Sequence, residues 1–359
     1  MAWKQNIIED FKQLVSFDSI SFHERKTADW LFARLKSMGF SVEEDQAGAY
    51  YGGDTGNIFA VLDGELEGDP VIFCAHMDVV EPGSGKKSVL EKDGTIHSAG
   101  DTVLGADDIS GILEILYGVQ LVIDSGKPHK KIELLFTIGE ELYVKGSDVF
   151  DYSKVTAKQA YVLDLSGAVG DAPSIISVRA EIRGKAAHAG FEPERGIHAI
   201  AVAAEAVTRL SMGHVDEDTT FNIGTINGGT ATNIVPDSCV VTGEIRSYDQ
   251  ALEYVKNTEK IFAEEADKAG ATAEVTHQVH LVAYETPVES RTVKDFLKAC
   301  EKTGLPGTLT ETFGGSDNNS FAKHGIEGLV LSCGMYQAHS TNEYTKIKDL
   351  YDGAELIRT

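Results

Sequence analysis

Cysteine is scarce in this sequence, and long apolar runs are missing. The four cysteines are far apart and form no Cys-x-x-Cys pair; they are Cys74, Cys239, Cys300 and Cys333. That spacing argues against both a disulfide framework and a thiolate metal site. No apolar stretch reaches the roughly 18 residues that a membrane-spanning helix requires, so the sequence predicts no such helix.

Positive charge is also in short supply. The 359 residues hold 32 lysines and arginines against 56 aspartates and glutamates, which gives a formal net charge of −24. Such a chain repels nucleic acid and anionic membrane surfaces, so we expect neither as a partner. Most of the acidic excess is expected on the solvated surface, while a minority can converge on a site that holds cations.

Three common sequence signals are absent. The first segment, MAWKQNIIEDFKQLV, lacks the apolar region and cleavage site of a secretory leader, so we expect a cytoplasmic protein. The string GSGKKS at 83–88 lacks the spacing of a phosphate-binding loop and predicts a polar loop. No Gly-x-Gly-x-x-Gly follows the first buried strand, which argues against a nucleotide-binding oxidoreductase.

Apolar runs alternate with helical patterns along most of the chain. The segments at 70–78, 131–141 and 159–167 are apolar almost throughout, which is typical of strands buried on both faces of an α/β sheet. A helical run between the first two suits a crossover connection. Two amphipathic helices are predicted around FDSISFHE near the amino terminus.

The texture of the chain changes near residue 177. Half-exposed strands and two long helices follow in the order β-α-β-β-α-β, which is the ferredoxin-like split pattern. After Pro287 a helix and the buried-type strand GLVLSCG return to the first texture. The sequence therefore predicts a mixed-sheet α/β domain sandwiched by helices, over 1–176 and 287–359, with an inserted ferredoxin-like α+β domain over 177–286.

Polar residues collect at the predicted carboxyl ends of the buried strands, where open α/β sheets bind their ligands. Each is a weak signal alone, but their joint placement predicts a site. Imidazole and carboxylate groups suit Zn²⁺, Mn²⁺ or Co²⁺, and two divalent ions would remove the repulsion between converging carboxylates. The residues are His76, Asp78, Asp107, Asp108, Glu140, Glu141, Asp164 and His339.

Spacing within these pairs indicates separate roles. In a strand, residues i and i+2 point the same way, so Asp78 can accept the second ring N–H of His76 and fix its tautomer. Glu140 and Glu141 are adjacent and point differently. One can bind a metal while the other faces the substrate water.

Several motifs resemble the dinuclear zinc exopeptidases of the aminoacylase, carboxypeptidase G and peptidase T superfamily. They are HMDVV, DGTIHSAGDTVLGADDISG, TIGEE and YVLD. DTVLGADD, together with GGSDNNSF at 314–321, is most similar to the peptidase T-like tripeptidase branch. The resemblance extends from FDSIS to AHSTNEY, nearly the whole chain.

This resemblance implies a site with two metal ions, zinc first, with cobalt or manganese as alternatives. Asp107 would bridge the ions, and the full ligand set would be His76, Asp107, Glu141, Asp164 and His339. The first ion would be bound by His76 and Asp164, and the second by Glu141 and His339.

The resemblance also implies that Glu140 is the general base and that Asp78 orients His76. A cis peptide is implied at Asp107–Asp108. The sequence departs from the family in two places. Ile109 stands where a lysine is usual, and Leu165 follows Asp164 where a small residue is common.

In the inserted domain, GKAAHAGFEPERGIHAI and GGTATNIVPDSCVVTGEIRS resemble the lid domain of the same superfamily. His188, Asn233 and Arg246 would then bind substrate. His188 can donate to an oxyanion, and Arg246 can clamp a carboxylate. Without the resemblance, the alternative is a surface histidine in a turn and an arginine paired on a sheet face. In several relatives this domain also dimerises, so a homodimer is possible.

The expected function is a two-metal exopeptidase acting on short peptides, as a tripeptide aminopeptidase. An N-acyl-amino-acid deacylase or a carboxypeptidase of the same superfamily stays open, since the same core serves all of them. A catalytically dead, metal-dependent binding protein is the alternative from another class. The presence of Glu140 and of every implied ligand argues against that last alternative.

Overall fold

The computed structural model describes residues 2–165 and 167–359. Two compact units are present: the first holds the chain up to Asp171 with residues 285–312 and 316–359, and the second holds residues 172–284 and 313–315. The sequence predicted an inserted domain over 177–286, and the main segment of the second unit spans 172–284. Met1 in the first predicted helix and Ser166 in the strand predicted over 159–167 lie outside the described residues.

Helices of both units follow the amphipathic runs of the sequence. In the described part of the chain they are α1 (Ala2–Val15), α2 (Arg25–Ser37), α3 (Ala47–Tyr51), α4 (Ala106–Asp124), α5 (Lys145–Asp148), α6 (Ala199–Arg209), α7 (Ala251–Ala269), α8 (Arg291–Thr303), α9 (Asn318–Lys323) and α10 (Ile347–Arg358).

The strands fall into a large sheet in the first unit, a second sheet in the other, and smaller pairings. They are β1 (Ser41–Glu44), β2 (Ile58–Leu62), β3 (Val71–His76), β4 (Ser88–Leu90), β5 (Thr95–Ser98), β6 (Ile132–Thr137), β7 (Gln159–Leu165), β8 (Ala168–Val169), β9 (Asp171–Ala172), β10 (Ser174–Arg183), β11 (Gly213–His214), β12 (Thr219–Gly228), β13 (Ser238–Ser247), β14 (Thr272–Leu281), β15 (Tyr284–Glu285), β16 (Glu327–Ser332) and β17 (Tyr344–Lys346).

The large sheet of the first unit has the strand order β1-β2-β6-β3-β7-β16-β8. Its four central strands, β6, β3, β7 and β16, are mutually parallel, while the outer pairs β1–β2, β2–β6 and β16–β8 are antiparallel. Parallel neighbours end at one edge of a sheet, so the carboxyl ends of the central strands meet there. The mixed α/β fold predicted from the sequence is confirmed.

Both faces of this sheet are buried, which explains why its strands are apolar almost throughout. Phe73 and Ala75 of β3 belong to one apolar cluster with α4 and α10, whereas Ile72 and Cys74 belong to another on the opposite face. Successive side chains of a strand point to opposite faces, so each face needs its own helical cover. The predicted sandwich follows from that requirement.

The amino-terminal helices form where their apolar spacing predicts them. In α1, Ile7, Phe11 and Leu14 recur on one face and are fully buried in the main core. After α2, Gly39 has a φ of +94°, a left-handed conformation that favours glycine just beyond a helix end.

The second unit is a five-stranded antiparallel sheet in the order β11-β12-β13-β10-β14. Apart from the short strand β11, its elements follow the chain as β10, α6, β12, β13, α7 and β14, which is the β-α-β-β-α-β order predicted for the insert. Its core packs α6 and α7 on one face of the sheet around Ala203, Val255 and Phe262.

Across 2–165 and 167–359 no helix has the length and apolar character that crossing a membrane requires. The four cysteines are buried and unpaired, as their spacing predicts.

Candidate metal centre

Two neighbouring strands place the first pair of candidate ligands. His76 is the last residue of β3, and Asp164 is the last but one of β7, its parallel neighbour. The ends of these strands lie side by side, and His76 Nε2 is 3.6 Å from Asp164 Oδ1. The strand-end rule by which these residues were predicted to meet is therefore realised.

Asp107 lies between the two histidines. Its Oδ1 is 3.0 Å from His76 Nε2, and its Oδ2 is 3.2 Å from His339 Nε2. One carboxylate thus presents each of its oxygens to a different imidazole, which is the arrangement that a bridging ligand needs. The peptide between Asp107 and Asp108 is cis, as the resemblance implies.

The two glutamates sit in a 3₁₀ turn, Glu140–Leu142, that directly follows β6 and Gly139. Glu141 Oε2 is 3.0 Å from His339 Nε2. Candidate ligand atoms of His76, Asp107 and Glu141 lie within 4.8 Å of one another, and so do those of His76, Glu140 and Asp164. All five predicted ligands and Glu140 are therefore brought together in the first unit.

The cluster is closed on one side and open on the other. His76 is 1% exposed, whereas the side chain of His339 is 56% exposed. His339 has a φ of +60° in the loop between β16 and β17. The solvent-exposed side of the cluster is therefore the side that His339 occupies.

The neighbouring carboxylates raise the pKa of both histidines. Hydrogen bonds to Asp107 and then to Glu141 raise the pKa of His339 to about 10. Burial works against a charge on His76, but its contacts with Asp107 and Asp164 still raise its pKa well above the ordinary value. The carboxylates around the two rings thus favour a positive charge at this position.

Burial has the opposite effect on the acids. It raises the pKa of Asp164 to about 7, and it raises the pKa of Glu140 well above its ordinary value, with the charge of Asp164 adding to the shift. Burial also raises the pKa of Asp108, whose oxygens accept the backbone N–H groups of His76 and Gly111. Converging carboxylates of this kind repel one another, and a bound cation would remove that repulsion.

The residues present fit a pair of divalent ions. Glu141 Oε1 is buried and has no hydrogen-bond partner in the described part of the chain, so one carboxylate oxygen is left for a cation. Two imidazole nitrogens and several carboxylate oxygens form the donor set that Zn²⁺, Mn²⁺ and Co²⁺ accept. The distances place His76 and Asp164 on one side of Asp107, and Glu141 and His339 on the other.

Asp78 contacts both His76 and the turn that carries Glu140 and Glu141, which we call the glutamate turn. Its Oδ1 is 3.4 Å from His76 Nδ1, but the nearest acceptor to that nitrogen is the Asp78 backbone oxygen, at 3.0 Å. The Asp78 carboxylate accepts the backbone N–H groups of Glu140 at 2.9 Å and Glu141 at 3.2 Å, and the hydroxyl of Ser21 at 2.7 Å. The spacing argument did not foresee these bonds to the glutamate turn.

The backbone just after this turn has an unusual conformation. Tyr143 and Val144 both have positive φ, at +68° and +50°. A β-branched residue in this region is a strained outlier, and such outliers persist only where the surroundings hold them. Val144 is 1% exposed, so packing supplies that support next to Glu140 and Glu141.

Ile109 occupies the position where the resemblance leads one to expect lysine. It is 1% exposed and packs in the main core, where a lysine would need a partner. Other buried charged residues were not predicted, and they include the following three. Glu24 accepts the N–H of Gly139, Lys86 is 2% exposed in the segment expected to be a polar loop, and Glu343 is 1% exposed. No periodicity or motif in the sequence gives their partners.

The three predicted substrate-binding residues lie in the second unit. His188 and Asn233 are brought together, because the Ala189 N–H donates to the Asn233 oxygen at 3.0 Å. His188 Nδ1 accepts the N–H groups of Gly190 and Phe191, so the neutral ring carries its proton on Nε2. That ring is exposed and stacks on Phe191.

Arg246 lies on β13 and already has partners. Its Nε donates to Glu244 at 2.7 Å, and its Nη1 donates to the Phe313 oxygen at 2.7 Å. The side chain is about one-third exposed, at 34%. Its remaining N–H groups are the ones that could bind a carboxylate.

Two family models match the chain. A model described as a peptidase dimerisation domain matches residues 172–272, and one described as peptidase family M28 matches residues 57–221. The first match lies entirely within the second unit.

The relatives that match nearly the whole chain include the following three. The uncharacterised protein YqjE of Bacillus subtilis is 37% identical over 99% of this chain and 98% of its own. The crystal structure of the aminopeptidase PepT of Bacillus cereus is 35% identical with a TM-score of 0.92, covering 99% and 97%. A tripeptidase structure from Staphylococcus aureus is 32% identical with a TM-score of 0.95, covering 99% and 98%.

Proposed function

Because this chain belongs to the peptidase T-like dinuclear metallopeptidases, we propose that it hydrolyses short peptides, and tripeptides in particular, from the amino end. One observation carries the proposal: Asp107 presents separate oxygens to His76 and His339 at 3.0 and 3.2 Å, with Asp164 and Glu141 beside them. A bridging carboxylate flanked by imidazole and carboxylate ligands is the arrangement that two-metal hydrolysis requires.

We propose zinc as the preferred ion at both positions, with cobalt and manganese as alternatives. His76, Asp107 and Asp164 would hold one ion, and Asp107, Glu141 and His339 the other. When bound, the ions supply Lewis acidity, which polarises the scissile carbonyl and lowers the pKa of a water molecule. Nitrogen and carboxylate ligands without thiolate suit all three metals.

Glu140 is the group that we propose as general base. Its carboxylate is buried and lies within 4.8 Å of the ligand atoms of His76 and Asp164. It takes a proton from the attacking water as the water oxygen bonds to the carbonyl carbon, and it returns that proton to the amine nitrogen as the C–N bond breaks. The bonds from Asp78 to the backbone of Glu140 and Glu141 keep the base in place.

We also propose that His188, Asn233 and Arg246 bind substrate. His188 would donate a hydrogen bond from its Nε2–H to the developing oxyanion, and Arg246 would pair with a carboxylate of the peptide. Support comes from the exposed His188 ring with its Nδ1 already used as an acceptor, and from the partly exposed guanidinium of Arg246.

A homodimer through the second unit is proposed on two grounds. Residues 172–272 match a dimerisation domain, and the edge strand β14 leaves most of its side chains exposed. Sedimentation of the purified protein would test it, since a monomer at micromolar concentration would contradict the proposal.

Four unpaired cysteines fit a reducing compartment, so we propose the cytoplasm as the location.

The test of function is a substrate panel on enzyme that has been stripped with a chelator and reloaded with Zn²⁺, Mn²⁺ or Co²⁺. Tripeptides with free amino termini should be cleaved, with release of the first residue. The same tripeptides with acetylated amino termini, and N-acetyl amino acids, serve as matched controls. Preference for N-acetyl amino acids would indicate the deacylase instead, and no turnover with any metal would indicate a binding protein.

A further inference from the structure

Glu343 is a buried carboxylate that the proposed chemistry leaves without a role. It is 1% exposed and lies four positions after His339, in the loop that joins β16 to β17. Burying a carboxylate is costly unless its oxygens are well bonded. The partners of Glu343 therefore indicate what it is buried for.

Those partners are all backbone groups of the segment that carries the bridging ligand. Glu343 Oε2 accepts the N–H of Leu104 at 2.7 Å and of Gly105 at 2.8 Å, and Oε1 accepts the N–H of Asp107 itself at 2.9 Å. Hydrogen bonds to a charged acceptor are among the stronger ones in proteins. The three N–H donors lie within four consecutive residues, 104–107.

This segment cannot satisfy those N–H groups by itself. Leu104 and Gly105 directly precede α4, and Asp107 lies in its first turn, where a helix has no internal acceptors. Asp107 and Asp108 have non-helical φ and ψ, so the regular helix begins only after them. Glu343 therefore supplies from another part of the chain the acceptor that a capping side chain would otherwise supply.

Glu343 also links the segment of Asp107 to the loop of His339. Tyr336 and Tyr344 exchange backbone hydrogen bonds at 3.0 Å and close the loop that holds both His339 and Glu343. A single side chain thus fixes the position of one loop against the other, and the two loops carry ligands 3.2 Å apart.

Lys86 packs against the segment that Glu343 binds. Its ammonium is buried and donates to the backbone oxygens of Phe17 at 2.8 Å and Gly83 at 2.9 Å. Its side-chain carbons pack against Gly105, where an added Cβ would lie 3.3 Å from Lys86 Cε. Gly105 has a φ of +80°, so the turn that Glu343 binds is also one that favours glycine.

We infer that Glu343 is a positioning residue for the metal centre: it sets the backbone of Asp107 relative to His339 and thereby sets the affinity for the bridged pair of ions. The inference rests on the proposed function, because it presupposes that the cluster binds divalent ions. Glu343 affects metal binding through the backbone of Asp107, because both of its carboxylate oxygens accept backbone N–H groups.

Glu343→Gln is the direct test, because the amide keeps the shape but turns one acceptor into a donor facing backbone N–H groups. Glu133→Gln is a matched control. Glu133 is also fully buried and accepts backbone N–H groups of Thr156 and Ala157, but it lies near the start of β6, away from the ligands. Glu343→Asp keeps the charge and shortens the reach, so it provides a milder variant if the glutamine form does not fold.

Zn²⁺ affinity is measured by competition with a chromogenic chelator, the coordination by the visible absorption of the Co²⁺-loaded protein, and the fold by the Tm of the metal-free protein. We expect Glu343→Gln and Glu343→Asp to weaken Zn²⁺ binding about 10- to 100-fold and to alter the Co²⁺ spectrum. Glu133→Gln should lower the Tm without either change.

Wild-type affinity and spectrum in a folded Glu343 variant would overturn the inference and leave the proposed function intact. An equal loss of Zn²⁺ affinity in Glu133→Gln would also overturn it, since it would assign the effect to general destabilisation. Failure of the wild-type protein to bind Zn²⁺ or Co²⁺ would overturn the proposed function itself.

Discussion

The carboxylate of Asp78 holds the backbone of Glu140. Asp78 Oδ1 accepts the Glu140 N–H at 2.9 Å, and its other oxygen accepts the N–H of Glu141. Asp78 follows β3 by two residues, and the glutamates follow the parallel neighbour β6, so the bond ties the ends of two adjacent strands. The glutamate turn therefore depends on a side chain 62 residues away.

Asp78→Asn should lower kcat by about 10- to 100-fold, because an amide offers one acceptor where the carboxylate serves two backbone donors and a hydroxyl. Ser21→Ala is the control, since it removes only the hydroxyl that donates to Asp78. Steady-state kinetics and elemental analysis separate the effects on turnover and metal content. Equal kcat for both variants and the wild type would show that these bonds do not position the base.

Glu140→Gln should retain both metal ions and lose turnover by about 10²- to 10⁴-fold, because it keeps the shape of the side chain and removes its ability to accept a proton. Glu141→Gln is the matched variant on the adjacent residue. As a candidate ligand, Glu141 should lose metal and turnover together. Metal content per chain distinguishes the two, and a metal-loaded, fully active Glu140→Gln enzyme would exclude Glu140 as the base.

Gly111→Ala should disturb the centre through packing. A Cβ at Gly111 would lie 2.3 Å from Asp108 Oδ1 and 2.6 Å from the backbone oxygen of Leu163, just before Asp164. Overpacking of this kind costs about 1–3 kcal/mol of unfolding free energy. Gly100→Ala is the control, because no atom lies within 4 Å of its added Cβ. Urea unfolding measures the difference, and equal stability of the two variants would contradict the expectation.

Metal removal should lower the Tm. The ions bind the folded cluster and not the unfolded chain, so Zn²⁺ at about 1,000 times its Kd adds about 4 kcal/mol to the free energy of unfolding. His339→Asn should reduce this gain, whereas His97→Asn, which removes an exposed histidine paired with Glu91, should leave it unchanged. Calorimetry with and without chelator gives the comparison. An unchanged Zn²⁺ effect in His339→Asn would remove that residue from the ligand set.

The sequence contained most of the fold and the identity of the clustered residues. Strands that are apolar on both faces predicted a buried sheet. The rule that ligands gather at the carboxyl ends of strands predicted that His76, Asp107 and His339 lie close together. These signals are local, because each depends on residues next to one another in the chain. The split order of the insert was readable for the same reason.

What could not be predicted depends on long-range contacts between single side chains and backbone groups. Glu343 binds the N–H of Asp107 from 236 positions away, and Glu24 binds the N–H of Gly139 from 115. Neither bond leaves a periodic pattern. Lys86 was expected in a polar loop because its neighbours are Gly, Ser and Lys, yet its ammonium is buried against two carbonyl oxygens.

Glu114 gives rise to a pH-dependent stability that its surroundings define. It is 1% exposed on α4, and neither carboxyl oxygen has a hydrogen-bond partner among the described residues. Burial, with the charges of Asp349 and Asp352 added, raises its pKa well above the ordinary value. The space around it is tight, since a Cβ on Gly353 would lie 1.9 Å from Glu114 Oε2.

The sign of the effect follows from proton binding. Above about pH 4.5 the unfolded chain releases the Glu114 proton while the folded chain retains it, so the unfolding free energy falls as pH rises, by at most about 1.4 kcal/mol per pH unit. Glu114→Gln and Glu114→Met are neutral at every pH and should lack this slope. Urea unfolding of the metal-free proteins from about pH 5 to about pH 8 therefore should show both variants gaining on the wild type as pH rises. A constant difference over that range would mean that Glu114 ionises normally in the folded protein and that water reaches its carboxylate.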